Sequence, residues 1–137
     1  MNTEILTDNA TTVANLYAAF GRGDIPFIVK HIDDNCKCIG AGEGFLPQGG
    51  NYKGKEALNF FMKLNEAVEF KSFNPLAIHH IGDAEVVAFG NMSGAAKNTG
   101  KVSSSDWVMH WKFNEEGRVI YFHDFHDTAA EYMAMLP

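Results

Sequence analysis

Two aspartates and two histidines crowd five consecutive positions of "GRVIYFHDFHDTAA" (117–130): His123, Asp124, His126 and Asp127. Around them Val119, Ile120, Tyr121, Phe122 and Phe125 read as a β-strand, whose side chains alternate between two faces. Asp124 and His126 therefore share a face with Phe122, while His123 and Asp127 take the other. A carboxylate among aromatics has its charged form disfavoured, which suits it to proton transfer. Asp124 is accordingly the candidate catalytic acid/base, and His126 the neighbouring proton carrier or hydrogen-bond donor. A purely structural pairing of Asp124 with His126 or a backbone amide is the alternative. Asp127, just before Thr128, reads equally well as a helix cap, and His110, His123 and Asp127 as rim or interface groups.

The preceding strand decides what surrounds Asp124. With Glu115 and Glu116 as a two-residue turn, Asn114 pairs with Gly117. Trp107, Met109, Trp111 and Phe113 then lie opposite Asp124, Phe122, Ile120 and Arg118. A slip of one residue would move a strand to the opposite face. In this register Trp107, Met109 and Phe122 are candidate substrate-binding residues. Tyr17, a possible phenol donor at the pocket mouth or a core residue, joins them, with Phe61 and Met62. Asp124 and His126 are expected to point into a cavity, and His123 and Asp127 out of it.

The elements that hold these residues follow from periodicity. Thr7 or Asp8 caps a helix with Val13, Leu16, Tyr17 and Phe20 on one face, and Gly21 and Gly23 stop it. Asp24 caps a second, "IPFIVKHI", with Pro26 in its first turn. "DDNCKCIG" reads as a short strand. "AGEGFLPQGGNYKG" holds five of the thirteen glycines and reads as a loop. A third helix, "KEALNFFMKLNEAV", carries an apolar stripe of Ala57, Leu58, Phe61, Leu64 and Val68. From Glu69 the period becomes two, and four strands form a meander separated by "GDA", "KNTG" and "NEEG" turns. "TAAEYMAML" adds a last helical turn or two. Helices folded over one face of a curved antiparallel sheet make an α+β layered arrangement. Its outer face, with Val108, His110, Tyr121 and His123, is expected to pair two copies as a homodimer.

Composition narrows the function classes. The chain has 137 residues, enough for a single domain with a real core, and a formal net charge of −6. That sign argues against a nucleic-acid partner. No apolar run approaches a membrane span, and the start "MNTEILTDNA" lacks a signal peptide's basic and apolar segments, so a cytoplasmic location is expected. Cys36 and Cys38 sit two apart on one strand face and read as half-buried thiols. The histidines lack metal-ligand spacing. "GAGEG" lacks the end of a phosphate loop and reads as a flap with Glu43 as a possible second carboxylate. His79 and His80 are adjacent, so one should face the pocket, and His31 reads as a helix-end histidine. Neither metal nor cofactor is expected.

"LYAAFGRGDIPFIVKHIDDN", "NYKGKEALNFFMKL" and "WKFNEEGRVIYFHDFHDTAA", in that order, resemble the nuclear transport factor 2-like superfamily. The resemblance covers nearly all of residues 1–137 as one SnoaL-like or ketosteroid isomerase-like domain. It implies a cone-shaped, cystatin-like α+β fold, as in ketosteroid isomerases, limonene-epoxide hydrolase and SnoaL-like polyketide cyclases. The steroid-isomerase machinery would fall on Leu16, Ile39 and Met109, all apolar, so that chemistry is not expected. The epoxide-hydrolase trio needs an arginine, and Arg22 and Arg118 both sit at turns. The cyclases' last-strand aspartate falls on Asp124, and their assisting histidine on Met109, beside His110. The resemblance implies a pocket protein for a small hydrophobic ligand: a cofactor-free isomerase- or cyclase-type enzyme acting on a carbonyl compound. The alternative is a non-catalytic ligand-binding or protein-interaction module of the same fold.

Overall fold

The computed structural model describes residues 8–137. Asp8 caps α1 (Asn9–Gly21) by accepting from Thr11 N at 2.9 Å; Thr7, the other cap candidate, lies outside the described residues. Asp24 caps α2 (Ile25–Lys30) by accepting from Phe27 N at 3.2 Å. This helix stops before Ile32, which opens β1 (Ile32–Gly40) instead. β2 (Gly50–Lys53) and a 3-10 turn (Gly54–Glu56) lead into α3 (Ala57–Ala67). The meander follows as β3 (Val68–Ile81), β4 (Glu85–Ala96), β5 (Val102–Phe113) and β6 (Val119–His126), then α4 (Thr128–Met135).

The expected α+β architecture is present, with a larger sheet than the meander alone. Six strands run in the order β2-β1-β6-β5-β4-β3, and every neighbour pair is antiparallel except β1 with β6. β2 lies inside the glycine-rich stretch read as loop. Four residues are too few for a period-two signal, yet Tyr52 is buried and packs edge-on against Phe60. β3 is an edge strand, which is why it tolerates Pro75, and bulges near Phe70 and Pro75 bend it. Among the described residues no helix is long and apolar enough to cross a membrane.

The α3 stripe needs correction. Ala57 and Phe60 are its buried residues, Phe61 and Leu64 pack beside the core, and Leu58 faces outward. The core fills the space between the helices and the concave sheet face, around Val13, Leu16, Val86, Trp107 and Val119. Cys36 and Cys38 are fully buried there rather than half-buried, and burial foremost pushes both thiols up to about 12. They are core thiols held protonated.

The hairpin of β5 and β6 departs from the expected register in two places. Its loop has three residues, Glu115–Gly117, closed by Asn114 N donating to Arg118 O at 2.9 Å, with Gly117 at φ +77°. Phe113 then opposes Val119, but Lys112 opposes Tyr121, so Ile120 is an extra residue on β6. Each irregularity alone would exchange the faces; together they restore them. Beyond the bulge the partners shift by two positions and the residues from Tyr121 to His126 keep their expected sides, whereas Val119, before it, turns into the core opposite Phe113. Met109, not Trp107, lies opposite Asp124, Trp107 lies opposite His126, and Trp111 lies opposite Phe122.

Candidate active site

β6 delivers two adjacent inward positions, Asp124 and His126. Asp124 is 6% exposed and accepts from His126 Nδ1 through Oδ2 at 2.7 Å. One residue beyond the strand, Asp127 caps α4 by accepting from Ala130 N at 3.0 Å. The cap turns the first turn of α4 back over the strand end and brings Glu131 to His126, with Nε2 and Oε2 2.5 Å apart. The other oxygen of Glu131 accepts from Gln48 Nε2 at 3.0 Å. Gln48 comes from the loop before β2, and its backbone carbonyl accepts from the Tyr52 hydroxyl at 2.9 Å. Asp124, His126, Glu131 and Gln48 thus form one buried chain of hydrogen bonds.

The electrostatics of this chain centre on the imidazole. Burial pulls its pKa down, but the hydrogen bonds and charges of Asp124 and Glu131 outweigh burial and hold it up at about 10. His126 is therefore an imidazolium between two carboxylates. Both ring nitrogens are taken, so it fixes and neutralises Asp124 without a proton free for a ligand.

Each end of the chain leaves one atom unpaired. Asp124 Oδ1 and Gln48 Oε1 are buried and have no hydrogen-bond partner among the described residues. Leaving a buried acceptor unpaired costs roughly 1–3 kcal/mol. Both residues line the same cavity, walled mainly by Phe20, Phe60, Phe73, Met92, Trp111 and Phe122. Its free volume is about 90 Å³, below the ~150 Å³ that accommodates benzene in an engineered apolar cavity. A ring-sized ligand therefore requires side chains of the wall to move.

Tyr17 reaches the same cavity from α1. Its hydroxyl accepts from Trp111 Nε1 at 3.0 Å and donates to Met109 Sδ at 3.3 Å, a weak acceptor. Burial, with a smaller contribution from the Asp124 charge, raises its pKa well above the ordinary phenol value, so it remains a neutral donor.

Of the sequence candidates, Asp124, His126, Tyr17, Met109, Phe122 and Phe61 all line this cavity. Trp107 and Met62 do not. Trp107 lies behind the wall, stacked on Phe73 with ring centroids 5.0 Å apart and donating to Asn91 O at 3.1 Å. Met62 is 52% exposed on the outer side of α3. Asp127 sits at the cavity rim rather than facing away from it. His123 lies on the outer sheet face, its Nδ1 3.1 Å from the Tyr121 hydroxyl, and His110 meets Glu85 at 2.8 Å. His79 and His80 are both exposed, and neither faces this cavity. Glu43 is exposed outside the site; the second carboxylate is Glu131 and the loop contributes Gln48. The Asp127 cap was the available sign of Glu131. No local pattern marks Gln48.

No protein-family model matches the sequence, and no curated protein does. Solved structures do. A nuclear transport factor 2-like protein of Burkholderia thailandensis is 25% identical with a TM-score of 0.85, covering 96% of this chain and 100% of that one. TerC, co-crystallised with polyporic acid, is 22% identical with a TM-score of 0.81, covering 94% and 98%. A candidate polyketide cyclase of Pseudomonas putida is 14% identical with a TM-score of 0.75, covering 96% and 100%. The helix order, the curved sheet and these near full-length matches agree that the chain has the nuclear transport factor 2-like fold.

Proposed function

We propose that this protein is a cofactor-free acid/base enzyme of the isomerase or cyclase type, acting on a small hydrophobic carbonyl compound. The observation that carries the reading is Asp124 Oδ1, a buried and unpaired carboxylate oxygen on a residue that lines the apolar cavity, while its partner oxygen is held by His126. There it takes a proton from the carbon next to the carbonyl. As charge moves onto the carbonyl oxygen, the Tyr17 hydroxyl leaves its weak contact with Met109 Sδ and donates to that oxygen instead. The proton on Asp124 returns at another carbon in an isomerisation. In a cyclisation the enolate carbon attacks the carbon of a second carbonyl, whose π pair moves onto its oxygen, and the proton on Asp124 goes to that alkoxide. His126 and Glu131 are positioning residues, and the phenylalanine wall excludes water. The neighbour named as a candidate polyketide cyclase supports the class of chemistry, and no more than the class.

The test is enzyme-dependent exchange of α-protons of small cyclic and aryl ketones in D2O, followed by NMR. Asp124→Asn is expected to slow exchange by roughly a hundredfold to ten-thousandfold, the usual contribution of a positioned acid/base. A ligand-binding module of the same fold is the second reading. It is favoured by the complete pairing of His126, which suits a fixed acceptor as well as a base. Tight binding of a ketone with no exchange above background would decide for the module.

A further inference from the structure

The chain of buried hydrogen bonds has two free ends, and both are acceptors. The orientation of the Gln48 amide is fixed by Glu131, whose carboxylate oxygen takes the Nε2 side, so Oε1 points away from Glu131 on a residue that lines the cavity. Gln48 is 2% exposed and its backbone is pinned by Tyr52, so Oε1 has no route to solvent. Asp124 Oδ1 has no such route either. An apolar cavity with two fixed acceptors selects a ligand that brings donors to both.

We infer that the ligand of this site carries two hydrogen-bond donors on an apolar ring, one hydroxyl facing Asp124 Oδ1 and a second hydroxyl or N–H facing Gln48 Oε1. Gln48 is then a specificity-determining residue, which ranks hydroxylated aromatic or enolic compounds above their counterparts that lack the second donor. This deepens the proposed function, resting on the same cavity but not on its chemistry. In a substrate of this class, one donor meets Gln48, the other lies beside the reacting carbon, and the carbonyl turns to Tyr17.

Single-ring probes test it, with dissociation constants measured by NMR titration of anisole, phenol, catechol and resorcinol on the intact protein. Each added hydroxyl is expected to tighten binding by about tenfold or more, the gain from satisfying one buried acceptor. Gln48→Lys keeps a donor for Glu131 but presents no acceptor, and Gln48→Leu presents neither. In both variants the better dihydroxybenzene should fall to the affinity of phenol, while phenol keeps its advantage over anisole. The inference is overturned if both dihydroxybenzenes bind wild-type protein no tighter than phenol. It is also overturned if none of the four binds, or if the dihydroxybenzene advantage survives both substitutions. The wild-type series decides alone should a variant not fold. Hydroxyl-dependent binding without α-proton exchange would sink the enzymatic reading and leave this one standing.

Discussion

His126 links the chemistry of the site to the stability of the fold. Its pKa in the folded protein, about 10, lies above the ordinary 6.5. The resulting stabilisation is complete below about pH 6.5 and is lost as pH rises toward 10. Denaturant unfolding between pH 6 and pH 10 should show stability falling through this window, by a few kcal/mol in order of magnitude. His126→Gln should flatten that part of the profile. His126→Ala leaves Asp124 and Glu131 buried without their cation, which costs roughly 3–5 kcal/mol. At this scale the sequence was informative where chemistry followed strand alternation. Asp124 and His126 declared their shared face, but their partners come from a loop and a helix whose docking no periodicity describes. Met62 failed as a wall residue because residue type does not show which side of α3 meets the cavity, and Trp107, on its expected inner face, failed because Phe73 stacks between it and the cavity.

The loop between β1 and β2 places Gln48, and a close backbone contact sets its path. A Cβ added at Gly49 would lie 2.3 Å from the carbonyl carbon and oxygen of Gly42. Gly49→Ala therefore forces the loop strands apart. It should destabilise the protein by about 1–3 kcal/mol and loosen Gln48 from Glu131, read as lower thermal stability together with faster amide exchange in residues 41–50. The β5–β6 hairpin shows how far element-level reading reaches. Its turn and its bulge were both invisible to residue alternation, and each would have reversed the site. The faces survived because the two irregularities cancel, whereas the cross-strand partners, which lack that protection, shifted by two positions.

For the molecule as a whole, the layer arrangement and the consecutive meander were legible because they rest on long periodic segments. The parallel pairing of β1 with β6 was not, since it joins distant parts of the chain without a turn to announce it. The outer sheet face carries Val108, His110, Tyr121 and His123 together with the exposed rings of Phe89 and Phe125. Pairing of two copies through this face predicts a solution mass twice that of the chain by light scattering, and Phe125→Lys should halve it. A monomer at micromolar concentration would remove the dimer. His123→Ala should affect association and leave activity per assembled unit nearly intact. The chain of bonds through Gln48, Glu131, His126 and Asp124 ties together a loop, a helix and a strand that are remote in sequence. A ligand seated on its two free ends engages only the fully assembled protein, so mass action makes the folded state a detector of its own ligand. At a hundredfold excess over Kd the gain is about 2.7 kcal/mol, a rise of a few degrees in melting temperature. Compounds can thus be ranked by heat alone, before any reaction is known to look for.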